Sequence, residues 1–196
     1  MIIRHFFRDR RDGVYLDVGC FHWKRASTTY YLEKHLGWTG IGIDAQEGYR
    51  EGWKKNRPDS TFFAYAVTDK SGETIKFFQA GPVSSTVTTN IEKWQEEFDF
   101  EPREIEVPTI TLDDLLDSEG VKKIDFLSMD INGGEITALK GFDLKRFRPE
   151  LVHVESNNGD ELAKYFESNG YVRIDAYLEY DQINWYYTPR DSDEES

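Results

Sequence analysis

The chain has 196 residues, which is enough for one well-buried domain and leaves little room for a second. Hydrophobic residues make up 38% of it and aromatic residues 15%, a composition typical of a folded globular domain and not of a disordered chain. The formal net charge of −13 would repel phosphate backbones and anionic lipid surfaces, so nucleic-acid partners and membrane insertion are not expected.

The single cysteine, Cys20, excludes an internal disulfide and fits a reducing compartment. No apolar run approaches the ~18 residues of a membrane span, and the opening MIIRHFFRDRR lacks a hydrophobic stretch of signal-peptide length. We therefore expect a soluble protein of the cytoplasm.

The two ends of the chain are both polar. The basic segment RHFFRDRR, residues 4–11, is short and interrupted by Asp9, which favours a solvated N-terminal segment over a binding arm. The acidic ending DSDEES predicts a disordered tail. We therefore expect one domain over residues 1–189, followed by a tail over residues 190–196.

Strand-like and helical patterns alternate along the chain, which predicts a single α/β domain with helices on both faces of a mostly parallel sheet. In the first half the predicted elements are a strand at 14–18, a helix from a Ser27 cap to a Gly37 stop, a strand at 40–44, a helix at 49–56 ended by Pro58, and a strand at 60–67.

The middle of the chain is less regular than its two halves. The predicted elements there are a hairpin strand at 71–78, a surface loop with some strand propensity at 79–90, a helix at 91–102 and a helix at 111–120 between a Thr111 cap and Gly120. In the second half they are a strand at 124–130, a helix at 133–142, a strand at 150–156, a helix at 160–170 and strands at 171–178 and 181–188.

Three of the predicted strands end in a carboxylate, namely Asp44, Asp130 and Glu155. Ligands of open α/β sheets bind outside the carboxyl ends of the strands, so these acids would share one crevice. Any one of them could simply begin a loop, where Asp is favoured for its turn-forming side chain. The three together favour a functional cluster.

The spacing between Gly19 and Asp44 indicates a ligand that contains ribose. Asp44 follows the Gly19 turn by 25 residues, close to the ~20 expected for an acid that accepts hydrogen bonds from ribose hydroxyls. A dinucleotide would also need the glycines of G-x-G-x-x-G, but GCFHWKRAS keeps only Gly19. An adenosine-type ligand without phosphates, such as S-adenosylmethionine, needs only the first.

An ordered series of motifs resembles the FkbM-type S-adenosylmethionine-dependent O-methyltransferases. The series comprises LDVGCFHWKRASTTYYLEKHLGWTGIGIDAQEGYREGWKKNRP, AYAVTDKSG, TITLDDLL, IDFLSMDINGGEITALKGFD and ELVHVES, and it spans residues 13–156. The resemblance implies a class I, Rossmann-like methyltransferase fold, doubly wound around a mostly parallel seven-stranded sheet. It also implies methyl transfer to a hydroxyl of a sugar, glycolipid or polyketide.

The same resemblance implies roles for residues at the cofactor site. Asp17 and Gly19 would line the methionine part, Asp44 would hold the ribose, and Ala66 and Val67 would line the adenine. The other residues expected at this site are Phe21, Thr28, Ala45 and Asp130. The chain departs from the family pattern at Phe21-His22-Trp23, where a small residue is usual, and at Asn132, where an acid is usual.

The aromatic turn allows two interpretations. Its rings could contribute ~0.5–2 kcal/mol of cation–π attraction to a sulfonium, stack on a sugar or close the pocket. Alternatively, Phe21 and Trp23 could pack on the neighbouring helix. His22 could act as a base, but a histidine in a turn is more often a structural hydrogen-bonding residue.

Methylation of an alcohol is assisted by a group that accepts the hydroxyl proton, typically for 10²–10⁴-fold. Asp130 is the first candidate for this base, followed by Glu155 and His153. His153 shares a side of its strand with Glu155 and could instead be a buried orienting partner. Asp130, Glu155 and Asn157 could also bind Mg²⁺ or Ca²⁺, but a divalent metal is not favoured.

These observations favour an S-adenosylmethionine-dependent O-methyltransferase that acts on a carbohydrate hydroxyl, with a glycan or small molecule as acceptor. The alternatives are a non-catalytic binding module with the same fold and a methyltransferase of a non-sugar hydroxyl. A nicotinamide-dependent oxidoreductase is disfavoured by the single-glycine turn. Because the chain begins almost at its first strand, it fits a domain of a larger glycan-building polypeptide.

Overall fold

A seven-stranded sheet forms the centre of the computed structural model, which describes residues 2–88, 91–92, 95 and 101–190. The strands, in chain order, are β1 Val14–Val18, β2 Thr39–Asp44, β3 Ser60–Ala64, β4 Ala66–Val67, β5 Thr74–Gln79, β6 Arg103–Ile110, β7 Phe126–Met129, β8 Leu151–Glu155, β9 Tyr171–Arg173 and β10 Asn184–Pro189. The large sheet has the order β3-β2-β1-β7-β8-β10-β9, and β4, β6 and β5 form a second sheet.

The pairings of the large sheet are parallel except at β10, which runs antiparallel to both β8 and β9. The described α-helices are α1 Ile2–Phe7, α2 Tyr30–Leu36, α3 Arg50–Asn56, α4 Leu112–Ser118, α5 Glu135–Lys140, α6 Leu144–Phe147 and α7 Gly159–Ser168. The mostly parallel, doubly wound α/β fold is therefore confirmed.

Helices cover both faces of the sheet, because alternate residues of each strand point to opposite sides. On one face, Leu16 and Leu127 pack with side chains of α4 to α7 in the larger core. On the other face, Tyr15 and Phe126 pack with α1 and α2. The carboxyl ends of β1, β2, β7 and β8 meet at one edge between these layers.

The helix signals in the sequence act as predicted at several ends. The Thr111 hydroxyl accepts a hydrogen bond from the backbone N–H of Asp114 at 3.1 Å. The Ser27 hydroxyl accepts one from Tyr30 N–H at 3.1 Å, and Gly37 ends α2 with φ +72°. These local interactions fix where the chain enters and leaves each helix.

The expectation of a solvated N-terminal segment is wrong. Residues 2–7 form α1, whose Ile3 and Phe7 are buried against the sheet. Just beyond it, the Arg10 guanidinium pairs with Glu150 at 2.8 Å and with Asp125 at 3.1 Å. Ile3 and Phe7 are four residues apart, so they lie on one face of the helix. The interpretation from the sequence considered only the charged residues and missed this apolar face.

Two predicted strands end earlier than the sequence indicated. The strand predicted at 60–67 leaves the large sheet at Tyr65, and Ala66–Val67 pairs instead with β6. The strand predicted at 171–178 ends at Arg173 and continues as a 3₁₀ turn, Asp175–Glu179. The alternating strand β6 had not been predicted, although it holds the second sheet together.

Some predictions fall outside the described residues. Most of the helix predicted at 91–102 lies there, as does the tail from residue 191 onward. Arg190, which the sequence placed in the tail, still donates its backbone N–H to Gly170 O at 2.8 Å. Within the described ranges, no helix combines the length and the apolar character needed to cross a bilayer.

Candidate active site

A cavity opens at the carboxyl edge of the sheet, between the turn after β1 and the segments after β2 and β7. Seven of the predicted site residues lie on its wall: Gly19, Phe21, Asp44, Ala45, Ala66, Val67 and Asp130. The wall also contains residues that the sequence did not single out, among them Ile43, Gln46, Tyr65, Phe77, Ser84, Thr86 and Ile131. Phe77, Ser84 and Thr86 come from β5 and the segment after it, which no strand-end pattern marks.

Two predicted cofactor residues, Asp17 and Thr28, do not line this cavity. Asp17 is buried behind the wall, where its carboxylate accepts a hydrogen bond from the Thr29 hydroxyl at 2.6 Å. Burial raises the pKa of Asp17 to about 6. Thr28 lies on a second cleft beside α1. The structure thus places Asp17 as a support of the turn.

Gly19 brings the first turn into direct contact with the segment after β7. Its φ is +80°, and a Cβ built on it would lie 1.8 Å from the backbone oxygen of Asp130. No side chain fits at that distance. The glycine is therefore required by the contact as well as by the left-handed backbone, and it fixes Asp130 beside the turn.

Asp44 is oriented by backbone N–H groups on both of its oxygens. One oxygen accepts from Phe21 N–H at 3.0 Å and the other from Gln46 N–H at 2.8 Å. Burial raises its pKa to about 6, so the carboxylate is mostly ionised at neutral pH. Because each carboxylate oxygen has a second lone pair, Asp44 can also accept hydrogen bonds from ligand hydroxyls in the cavity.

The aromatic turn combines both interpretations drawn from the sequence. Phe21 reaches the cavity wall and meets the ring of Tyr49 edge to face at 4.9 Å. Its carbonyl accepts a hydrogen bond from the Trp53 indole at 3.0 Å. Trp23 instead packs among the residues around Trp53 and meets Tyr30 at 5.9 Å. The Phe21 residue thus lines the cavity, whereas the Trp23 ring packs against α3.

His22 holds the turn together through its ring. Its Nδ1 accepts hydrogen bonds from the backbone N–H groups of Lys24 and Arg25 at 3.1 and 3.0 Å. The ring stacks on Trp23 with centroids 5.2 Å apart. This arrangement favours the structural interpretation of His22 over that of a base.

A buried ion pair anchors the turn from below. Arg57 and Glu33 are almost completely buried, and the guanidinium pairs with the carboxylate. The same guanidinium donates to the carbonyl of Trp23 at 3.1 Å and to the Thr29 hydroxyl at 3.1 Å. One cation thus holds both ends of the loop that leads from the turn to α2.

We predict that Arg57→Met destabilises the protein by roughly 3–5 kcal/mol, because it leaves the Glu33 carboxylate buried without its partner. Urea unfolding would measure this change. Arg146→Met is a matched control, since it removes an exposed ion pair with Asp117 that is worth at most ~1 kcal/mol. Equal effects of the two substitutions would show that the buried pair does not anchor the loop.

Asp130 and Glu155 form a pair of acids in different environments. Asp130 is exposed to solvent at the cavity, whereas Glu155 is buried and its Oε2 receives no hydrogen bond within the described part of the chain. Burial raises the pKa of Glu155 to about 8, and the charges of Asp130 and Glu135 add to this effect. Glu155 therefore keeps its proton at neutral pH.

Asp130 is the member of the pair that lines the cavity. Desolvation by the surrounding protein raises its pKa, and a hydrogen bond with Glu155 opposes that rise. A carboxylate that is open to the cavity and has a raised pKa is a stronger base than an ordinary aspartate, so it is suited to accept a proton from a ligand.

His153 lies on the same face of β8 as Glu155 but does not line the cavity. Its Nδ1 hydrogen-bonds with the Ser128 hydroxyl at 3.1 Å, and its ring packs on Tyr186 at 5.1 Å. Burial lowers the pKa of His153 to about 4, which keeps the ring neutral and makes it a weak base. The geometry favours the orienting role.

The described residues contain no group of three or more His, Cys, Asp or Glu side chains placed to hold a metal ion. Asp130 and Glu155 are close to one another, and the charge of Glu135 also raises the pKa of Glu155, but these acids are not placed to hold a metal ion together. The amide of Asn157, the third member of the predicted alternative, lowers the pKa of Glu155 through a hydrogen bond.

We predict that protonated Glu155 makes stability depend on pH. Glu155 binds its proton more tightly in the folded protein than in the unfolded chain, so its contribution is full below about pH 4.5 and is lost as pH rises through about 8. Glu155→Gln should therefore gain thermal stability relative to the parent protein as pH rises from about 4.5 to about 8, and the gain should level off at higher pH.

Thermal unfolding at each pH would measure this gain, at ~2–4 °C for each ~1 kcal/mol. Glu161→Gln, on the exposed face of α7, is the matched control and should show no such trend. A stability difference between the Glu155→Gln variant and the parent protein that does not change with pH would contradict a protonated Glu155.

The fold and the site together define a class of protein. A seven-stranded sheet with one antiparallel strand, and a cavity at the carboxyl edge of β1, β2 and β7, is the architecture of class I methyltransferases. The family model of the methyltransferase FkbM domain matches residues 10–173, and the chain belongs to this family of methyltransferases. The family that the motifs resembled is thus confirmed. No curated protein matches the chain.

Proposed function

We propose that the protein is an S-adenosylmethionine-dependent O-methyltransferase that acts on a neutral carbohydrate hydroxyl, with Asp130 as the general base. The observation that supports this most is the unequal acid pair: Asp130 is exposed at the cavity, while Glu155 is buried beside it and burial raises the pKa of Glu155 to about 8.

The cavity suits an adenosine-type cofactor without phosphates. Its wall offers one carboxylate at the end of β2, Asp44, and apolar side chains such as Ala66, Val67 and Phe77. Asp44 would accept the ribose hydroxyls, and the apolar side chains would contact the adenine. When bound, S-adenosylmethionine supplies a methyl group attached to a positively charged sulfur. The Phe21 ring could stabilise that charge by ~0.5–2 kcal/mol.

Asp130 has the position of a base. Gly19 holds its backbone at the cofactor turn, so the carboxylate lies where the methionine part of the ligand would end. For methyl transfer, the oxygen of the acceptor hydroxyl must lie ~3–3.5 Å from the methyl carbon, and the hydroxyl must lose its proton as it reacts. Asp130 would accept this proton. Protonated Glu155 would donate a hydrogen bond to Asp130. The two acids together would then carry a single negative charge.

The charge of the protein supports a neutral acceptor. A net charge of −13 and the acids at the sheet edge would repel a phosphorylated or sulfated acceptor. Carboxylates accept hydrogen bonds from sugar hydroxyls, and aromatic rings cover the apolar faces of sugars. A non-catalytic module of the same fold is the second candidate, because Asn132 stands at the cavity where the family pattern has an acid.

We predict that Asp44→Asn weakens S-adenosylmethionine binding by ~1.5–3 kcal/mol, or roughly 10- to 100-fold, because hydrogen bonds to a charged acceptor are lost. Isothermal titration calorimetry would measure it. Glu47→Gln, an exposed acid three residues further along the chain, is the control and should leave the affinity unchanged. An unchanged affinity in the Asp44→Asn variant would remove Asp44 from the site, and equal affinity of the parent protein for NAD would undermine the proposal.

We predict that Asp130→Asn lowers the methyl-transfer rate by at least ~10²-fold while the cofactor still binds, because the base is lost. Glu155→Gln should keep the rate within several-fold, since a neutral amide replaces a neutral carboxyl group and can still donate to Asp130. Mass spectrometry of neutral glycosides incubated with S-adenosylmethionine would detect the added methyl group.

These assays would be run in EDTA, where we expect activity to persist. Near-normal turnover of the Asp130→Asn variant would move the base to Glu155, His153 or His22. Loss of activity in EDTA that Mg²⁺ restores would favour the metal alternative formed by Asp130, Glu155 and Asn157. Cofactor binding without transfer to any acceptor would favour the non-catalytic module.

A further inference from the structure

A second and larger cleft lies beside the first cavity, on the side of the sheet that α1 covers. Its volume is about 840 Å³, within the ~300–1,000 Å³ of typical ligand sites. Its walls come from α1, from the loop before α2 and from the 3₁₀ turn that follows β9. The lining residues are Ile2, Ile3, His5, Ala26, Ser27, Thr28, His153, Ala176, Tyr177, Glu179, Tyr180, Asp181 and Tyr186. We call it the α1 cleft.

The strand register connects the α1 cleft to the acid pair. Ser128, His153 and Tyr186 are register partners across β7, β8 and β10, so their side chains point to one face of the sheet. His153 and Tyr186 line the α1 cleft. Glu155 lies two residues further along β8, on the same face and ~7 Å away. Asp130 directly follows β7, and the charge of Asp181 on the wall of the cleft raises the pKa of Asp130. A ligand in this cleft therefore lies next to Asp130.

The wall of the α1 cleft is aromatic, acidic and rigid. Tyr180 stands at its rim with 74% of its surface exposed. Asp181 accepts hydrogen bonds from the Tyr186 hydroxyl at 2.9 Å and from Asn184, so it fixes the position of the Tyr186 ring. The described lining residues include two acids but neither Lys nor Arg. Such a wall suits a ligand without negative charge.

His153 has one ring nitrogen, Nε2, for which no hydrogen-bond partner is found among the described residues. Because Ser128 engages its Nδ1, the remaining Nε2 is the ring atom able to bond with a hydroxyl at the wall of the cleft. Ser27 and Thr28 also line the cleft. The cleft thus combines hydroxyl-binding groups with rings that can cover an apolar face.

We propose that the α1 cleft is the acceptor site, and that it binds a neutral pyranoside whose ring packs on Tyr180 and whose hydroxyl binds His153. The proposal rests on the proposed function, because it places the acceptor of that reaction. It makes His153 a positioning residue, and Tyr180 a residue that determines acceptor affinity without touching the cofactor.

The first test is an NMR titration of the isotopically labelled protein with and without S-adenosylhomocysteine. The probes are methyl pyranosides of glucose, galactose, mannose, rhamnose and fucose, and the matching methyl glucuronides and galacturonides. We expect at least one neutral pyranoside to shift the ring nitrogens of His153 and the backbone amides of Thr28 and Tyr180. The anionic sugars should bind at least tenfold more weakly.

The second test compares two substitutions in one exposed loop. Tyr180→Ala should weaken binding of the pyranoside, and raise its KM, by at least tenfold while kcat changes little. Ile183→Ala is the control, because Ile183 is similarly exposed but does not line the cleft. Neither substitution should alter the affinity for S-adenosylhomocysteine.

Four results would overturn the proposal: no binding of any neutral pyranoside, binding of the anionic sugars alone, shifts confined to other surfaces, or equal effects of the two alanine substitutions. The proposed function fails separately, if S-adenosylhomocysteine does not bind or Asp130→Asn leaves the rate unchanged. Pyranoside binding in the α1 cleft would remain measurable without the cofactor, so the two failures can be told apart.

Discussion

The close contact between Gly19 and the backbone of Asp130 is the constraint on which the rest of the site depends. Two parallel strands end side by side, and the turn after β1 passes so near the segment after β7 that a single added carbon would overlap the Asp130 oxygen. The turn after β1 and the candidate base are therefore held in a fixed position relative to each other. Any ligand bound against the turn lies next to the carboxylate.

Side chains hold the rest of the turn in place. The turn has Phe21-His22-Trp23 where the family pattern has a small residue. Arg57 and Trp53 bind the carbonyls of Trp23 and Phe21 from beneath, and His22 binds two backbone N–H groups from within. In this chain, aromatic packing and the buried Arg57 guanidinium thus hold the backbone of the turn. A ligand without phosphates does not require the close approach that extra glycines would allow.

Asp130 and Glu155 differ in pKa because their surroundings differ, and not because of their residue types. Asp130 and Glu155 end adjacent strands, but only Glu155 is enclosed, so the shared proton belongs to it. Proteins commonly assign acid and base roles by placing similar groups in unlike surroundings. Here the exposed carboxylate lines the cavity at the sheet edge, where we propose that it accepts the proton of the acceptor hydroxyl.

Much of this arrangement could be predicted from the sequence, because it depends on local signals. The apolar run at β1 and the caps at Thr111 and Gly37 fix elements within a few residues. Three strand-end acids then mark the edge where a ligand binds.

The remaining features depend on long-range packing. The burial of α1, the break at Tyr65 and the pairing of β6 are decided by neighbours distant in the chain. The protonation of Glu155 and the burial of Asp17 also depend on residues distant in the chain, because the alternation along a strand does not show which elements cover each face.

The most direct test of the account is a crystal structure of the protein with S-adenosylhomocysteine and a neutral pyranoside. We expect the ribose on Asp44, the sulfur facing the Asp130 carboxylate and the sugar in the cleft beside α1, with one hydroxyl between the sulfur and Asp130. A cofactor bound elsewhere, or a sulfur pointing away from Asp130, would contradict the central claim that this carboxylate is the base.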